Sequence, residues 1–340
     1  MKSSSSDGQK TGKAIRAIGM IASLFGVLLL SLLITAYGLI WVICKGPSPS
    51  ARDLFVTTCM ETSFAKLFPP LVLSRGEIAE ILEANAVVPT GAVTNDTADF
   101  SKPDELKKDP EQAEIEVLDV TGPTYKGKMM IVKDPSRIIV GTPPAFGKEA
   151  DGIKLDKMVE NAGAVAGINA GGFEDDNGVG TGGVPIGIVI RDGKLVFGKE
   201  TAKTVVIGLD DKNALHAGTM TAREALDKGM RDAVSFGPVL IVNGEPVEFV
   251  GNSSGLNPRT AIGQRKDGSV LLLVIDGRQP HSIGATYKDL VDVMQKFGAV
   301  NAGNLDGGSS SMLYYNGKLM NTCASLYGPR KISTGFLVRK

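Results

Sequence analysis

Residues 17–44 contain no charged side chain. This run of 28 residues exceeds the roughly 20 that an apolar helix needs to cross a bilayer. It is also longer than the apolar part of a cleavable signal peptide, about 7–15 residues. Tyr37 and Trp41 fall near its end, followed by Cys44 and Lys45, where an interfacial aromatic belt belongs. The run is therefore expected to be an uncleaved signal anchor, with the lipid bilayer as partner of residues 17–44. Lys2, Lys10, Lys13 and Arg16 precede it, whereas Lys45 and Arg52 follow. The positive-inside bias puts residues 1–16 in the cytoplasm and the C-terminal part outside the cell.

Charge and composition narrow the function of that outer part. Lys and Arg number 37, as do Asp and Glu, giving a net charge of zero. A nucleic-acid partner is thereby disfavoured, since that would need a basic excess. Three cysteines make neither a disulfide framework nor a four-cysteine zinc site. With Cys44 at the membrane edge, only Cys59 and Cys323 could pair. Two histidines disfavour a multi-histidine metal centre. His216 sits in a polar stretch and is expected at the surface, and His281 is expected in a loop after Gln-Pro.

Residues 45–114 read as an extracytoplasmic stalk with one short helix. Pro47 and Pro49 open it, Ile78, Ile81 and Leu82 follow at helical spacing, and 89–112 are polar, acidic and proline-containing, as in a solvated linker. From 115 to 340 the texture changes. Asp192-Gly193, Asn243-Gly244, Asp267-Gly268 and Asn316-Gly317 each lie between apolar runs, the strongest short-range hairpin signal. Thr221 with Glu224 predicts a capping box, on a helix stopped by Gly229. Leu290, Val291, Met294 and Phe297 predict a second helix closed by Gly298, and Lys154–Asn161 a third. The expected fold class is α+β: a mainly antiparallel sheet with several hairpins and a few packing helices, preceded by one transmembrane helix.

Two apolar runs end in polar, glycine-rich segments, and a third such segment follows the helix closed by Gly298. Ala164–Ile168 leads to Asn169-Ala-Gly-Gly-Phe173, Val270–Ile275 to Asp276-Gly-Arg-Gln279, and a third segment reads Asn304-Leu-Asp-Gly-Gly-Ser-Ser310. Rigid strands that deliver polar groups into loops are where sites are built. With Arg259 and Arg278 nearby, the set offers carboxylates for acid–base or nucleophilic work. Its guanidiniums suit a phosphate or carboxylate. Gly178-Val-Gly-Thr-Gly-Gly183 has the spacing of a dinucleotide motif but lies between an acidic loop and a β run. It reads instead as a glycine loop beside a cleft.

These segments resemble the phosphodiester glycosidase family. Besides the three above, the resemblance rests on Gly183-Val-Pro-Ile-Gly187, Phe236-Gly-Pro-Val-Leu240, Pro258-Arg-Thr-Ala-Ile-Gly263, Ser282-Ile-Gly284 and Arg330. Gly303 and the extra Ala170 depart from the usual family pattern. The resemblance implies hydrolysis of a sugar-1-phosphodiester in a cell-envelope or exopolysaccharide glycan. Asp306 would be the carboxylate that meets the developing sugar cation, with Asp276 second. Arg259 and Arg278 would hold the phosphate. Asn169, Gly172, Phe173, Asn304, Gly307, Gly308, Ser309, Ser310 and Arg330 would line the substrate site. No cofactor is required, although Asp276, Asp306 and Asn304 offer oxygen ligands to calcium or magnesium. Two alternatives stay open: an envelope protein that binds anionic polysaccharide or a teichoic-acid-like polymer without catalysis, and P–O cleavage with a metal or a nucleophile such as Ser309.

Overall fold

The four Asn-Gly and Asp-Gly pairs that lie between apolar runs all close hairpins. At 192–193, 243–244 and 316–317 both central residues have positive φ, the two-residue turn whose twist matches that of paired strands. The fourth joins Arg259–Arg265 to Val270–Ile275; there Gly268 alone is left-handed, at φ 87°, and its N–H donates to the Arg265 carbonyl at 3.0 Å. The computed structural model describes residues 5–62, 64–87, 91–95, 99–100, 114–175, 180–251, 254–325 and 328–340. Contacts divide the chain into two compact units, Met1–Ile81 and Leu82–Lys340.

The first unit begins with helix α1, Ser5–Lys45, in which Ile18–Lys45 is long and apolar enough to cross a membrane. Helix α2, Pro49–Met60, follows at once. Ser48 is its N-cap, its hydroxyl accepting from the Ala51 amide at 3.3 Å, and Pro49 occupies the first helical position. Serine and proline in those positions start a helix rather than a linker, so the expected stalk holds two helices instead of one. The second helix, α3, spans Arg75–Ala84. The three cysteines are free thiols.

The second unit is built on three large antiparallel sheets, with the two-stranded pair Ile153–Lys154 and Lys331–Ile332 beside them. The seven-stranded sheet runs Ile115–Thr121, Lys126–Val132, Val270–Ile275, Arg259–Arg265, Ala299–Leu305, Val239–Val242, Glu245–Pro246. A five-stranded sheet runs Lys194–Phe197, Val189–Arg191, Met230–Ser235, Lys203–Asp210, Leu215–Thr221, and the other Lys318–Leu319, Leu313–Tyr315, Ala164–Asn169, Gly335–Arg339, Ile138–Gly141. One face of each sheet meets a common core that includes Leu272, Leu305, Ile207, Ile168 and Phe336. The outer faces are covered by one helix each: α6 (Tyr287–Lys296), α5 (Ala222–Asp227) and α4 (Leu155–Asn161). This is why Val270–Ile275 is apolar at every position rather than at alternate ones. The capping box of α5 forms between Thr221 and Glu224, and α6 has a second between Thr286 and Asp289. Fully burying Leu290 and Met294 on α6 stabilises the fold by roughly 1.5–3 kcal/mol each.

The expected linker is only partly a linker. Residues 88–90, 96–98 and 101–113 lie outside the described residues, but Val93 packs in the core beneath α5 and Thr94 is buried. Thr94 Oγ1 lies 2.9 Å from Nδ1 of His216. That histidine is 1% exposed, with Nε2 2.9 Å from Asp210 Oδ2, and so is not at the surface as expected. The polar stretch around it is a strand covered by residues 91–95.

Candidate active site

Asp306 follows the last residue of Ala299–Leu305, and neighbouring strand ends fix it by its backbone. Its N–H donates to the Ala170 carbonyl at 2.9 Å, and its carbonyl accepts from Asn169 Nδ2 at 2.6 Å. Asn169 Oδ1 accepts from Thr260 Oγ1 at 2.9 Å and from the Met312 amide at 3.0 Å. At 1% exposure, Asn169 is a pin joining three strand ends rather than a group facing substrate. Asn169→Ala strands a buried hydroxyl, amide and carbonyl, and is expected to cost about 2–4 kcal/mol, read as a fall in the urea midpoint.

Beyond Asp306 the chain turns sharply. Gly308 has φ 62° and donates its N–H to the Pro258 carbonyl at 2.8 Å. A side chain on Gly307 would meet that same carbonyl at 2.7 Å. The two glycines thus let the turn Gly308–Ser310 fold back over its own aspartate. The Ser310 hydroxyl and the Gly307 amide both hydrogen-bond the Asp306 carboxyl, yet burial dominates and pushes its pKa up to about 6. The Arg330 guanidinium opposes that rise and the Asp175 carboxylate adds to it.

Arg330 crosses the mouth of this turn. Nη1 donates to Asp175 Oδ2 at 2.7 Å and to Ser309 Oγ at 3.0 Å, and Nη2 to the Gly180 carbonyl at 3.1 Å. Its guanidinium carbon lies 5.2 Å from the centre of the Phe173 ring, within cation–π range. Phe173 is held by a bridge to Pro185, and Gly172 leaves room for Phe236, which an added side chain would meet at 2.6 Å. Of the glycine loop at 178–183, residues 178 and 179 lie outside the described residues.

A second arginine stands across the turn. Arg278 is exposed, with φ 58°, a conformation that is costly for a residue with a side chain and concentrates at functional sites. Its Nη2 donates to Asn257 Oδ1 at 3.0 Å and lies 3.5 Å from where a side chain on Gly308 would begin. Asp276 is 8% exposed. Its Oδ1 accepts from Asn321 Nδ2 at 3.0 Å and the Thr322 amide at 2.9 Å. Asn321 also donates to the Ser311 carbonyl at 3.1 Å, tying Asp276 to the Asp306 segment. Oδ2 of Asp276 lies 3.8 Å from Nε2 of His281. Cys323 donates its Sγ–H to the Ser309 carbonyl at 3.5 Å, and burial pushes its thiol pKa up.

Two more of the expected site residues, besides Asn169, serve the scaffold through the contacts they make. Arg259 is 6% exposed. It donates to the Ala285 and Gly255 carbonyls at 3.0 and 2.8 Å and stacks 4.3 Å from the centre of the Tyr287 ring. Strand alternation explains it: Thr260 faces Asn169, so the adjacent Arg259 points to the opposite face. Asn304, 1% exposed, donates to the Gly237 carbonyl at 2.6 Å. Asp306, Ser309, Ser310, Phe173, Arg330 and Arg278 do come together, through Gly307 and Gly308. Sequence reasoning missed Asp175, Asn257, Asn321 and the approach of His281 to Asp276. Only the acidic pair at 175–176 left a local signal. Among the described residues no group of three His, Cys, Asp or Glu is placed to hold a metal.

Comparison with known proteins identifies the family. The phosphodiester glycosidase family profile matches residues 162–339. An uncharacterized SPbeta prophage-derived protein of Bacillus subtilis, YomE, is 31% identical over 174 residues, covering 48% of this chain and 26% of that protein. The N-acetylglucosamine-1-phosphodiester alpha-N-acetylglucosaminidase of Mus musculus is 25% identical over 152 residues, 39% of this chain and 29% of the mouse protein. The matches thus span less than a third of either curated relative. The fold matches the catalytic domain of the zebrafish N-acetylglucosamine-1-phosphodiester alpha-N-acetylglucosaminidase, with TM-score 0.57 and 23% identity, over 68% of this chain and 86% of that one. With the family profile covering more than half of its length, the chain belongs to the phosphodiester glycosidases, a family of hydrolases.

Proposed function

We propose that this chain is a membrane-anchored, extracytoplasmic hydrolase that cleaves the glycosidic C1–O bond of a sugar-1-phosphodiester in a cell-envelope or exopolysaccharide glycan. The observation that carries this reading is Asp306, a carboxylate at a strand end in the field of Arg330, with Arg278 beside its Gly308 turn and its pKa raised to about 6. A group of that pKa is ionised at neutral pH yet close enough to it to exchange protons. The departing phosphate monoester is a stable anion, so little proton donation is needed to release it. The electron pair of the C1–O bond leaves with the phosphate oxygen. The sugar carbon gains positive character, which Asp306 meets directly or through a water it deprotonates. Arg330 and Arg278 bind the phosphate and stabilise the charge it gains on leaving. Asp276 and His281 line the adjacent wall, where they orient the sugar or the attacking water.

Location follows the charge asymmetry about the span, which supports a cytoplasmic N-terminus and an external C-terminal unit. The competing reading, a polymer binder without chemistry, is served by the same arginines. It has no use for a carboxylate set among them, which would repel the anion it holds. Incubating the purified full chain with a panel of sugar-1-phosphodiesters distinguishes the two. The hydrolase releases reducing sugar and phosphomonoester in equal amounts, and since this reading requires no cofactor, EDTA is expected to leave the rate unchanged; a rate lost to EDTA and restored by calcium or magnesium would add a divalent cation to it. Tight binding with no turnover across the panel would favour the polymer binder.

A further inference from the structure

The first unit carries an apolar patch that its own core does not use. Val56, Cys59 and Leu73 are buried within the unit, whereas Phe64, Leu67 and Leu71 are 70%, 59% and 55% exposed. Two short 3₁₀ turns, Ala65–Leu67 and Pro69–Leu71, carry Leu67 and Leu71, and Phe64 caps the first. Near-threefold spacing sets 64 and 67 on one side of the first turn, and the prolines at 69 and 70 limit how far the segment can refold to hide them. Phe64 is steadied edge-on by Phe68, with ring centres 5.5 Å apart. Single exposed apolar residues are ordinary on a protein surface, but three within eight residues in a small unit with a filled core are not.

Position supplies the occupant. The turn Pro69–Leu71 packs on α1, whose last turns expose Leu39, Trp41 and Val42. Lys45, the first charge after the apolar run, is clamped by Glu77 of α3, Nζ to Oε1 2.6 Å. The patch is therefore held in contact with α1, in a unit whose α3 is tied to the point where the apolar surface of α1 ends. We propose that Phe64, Leu67 and Leu71 insert into the headgroup–acyl boundary of the bilayer that α1 crosses, so that the first unit stands on the membrane as a foot. Amphipathic segments seat their apolar face there to a depth of about 5–10 Å. The proposal rests on reading Ile18–Lys45 as a transmembrane span.

Trp41 is the single tryptophan of the chain, which gives the test its internal control. The full chain is reconstituted in phosphatidylcholine vesicles with acyl chains brominated near the headgroup, and fluorescence is compared with unbrominated vesicles. Trp41 reports the span in the natural chain. The double variant W41F/F64W reports the patch, and W41F/L67W repeats it should the first fail to fold. Quenching of all three, by about twofold or more for a shallow interfacial ring, is the expected result. Quenching of Trp41 with neither patch variant affected overturns the foot and leaves the span standing. An unquenched Trp41 overturns the span and the proposal with it.

Discussion

Asp306→Asn abolishes turnover while raising stability above pH 6. The loss of activity is expected to be roughly 10²–10⁴-fold, the range for removing a positioned base, and larger if Asp306 attacks the sugar itself. The stability gain follows from the direction of the pKa shift. The carboxyl rises from 3.8 to about 6 on folding, chiefly through burial. Between those values the folded state holds a proton that the unfolded state has lost, so stability falls as pH rises through the interval and remains lower above it. The full shift corresponds to about 3 kcal/mol, and partial solvent access at Asp306 reduces that to about 1–2 kcal/mol. Asparagine carries no charge to desolvate. The variant should melt at a higher temperature than the natural chain at pH 7.5, with the gap closing toward pH 4. The same titration shapes activity: kcat/KM rises with pH and levels off above about 6. A variant that retains turnover, or one destabilised at every pH, contradicts the assignment.

Arg330→Ala is expected to lower kcat/KM by roughly 10²–10³-fold, the range for removing one transition-state donor. Arg330→Lys restores little, because one ammonium cannot reproduce the forked contacts to Asp175, Ser309 and Gly180. A purely structural arginine would give a similar loss, so the pH profile is the discriminating readout. Arg330 holds the Asp306 pKa down and Asp175 pushes it up. Residual activity of Arg330→Ala should therefore appear at higher pH than in the natural chain, and that of Asp175→Asn at lower pH. Acid limbs that do not move would remove Arg330 from the electrostatics of the site.

What could be read from the sequence was local. The Asn-Gly and Asp-Gly turns, the Thr221–Glu224 box and the polar, glycine-rich segment that holds Asp306 all depend on neighbours within a few residues. Contacts between distant segments set the rest. Arg259 and Arg330 are both arginines beside short polar motifs, yet one stacks on Tyr287 and the other lies over Phe173. Deciding between them needs the sheet pairing that turns Thr260 toward Asn169. His216 is buried through Thr94, 122 residues away. The Asp306 site needs Arg330 to pair with Asp175, 155 residues apart. Ser48-Pro49 had a local signal that proline-rich surroundings concealed, since the same pair opens a linker or caps a helix.

The central claim is cleavage between sugar carbon and oxygen, and the origin of the incoming oxygen tests it. Turnover of a sugar-1-phosphodiester in oxygen-18 water, followed by mass spectrometry of both products, shows which atom was attacked. The account predicts label in the free sugar and none in the phosphate monoester. Label in the phosphate would place the attack at phosphorus, and the roles given to Asp306 and the two arginines would be contradicted.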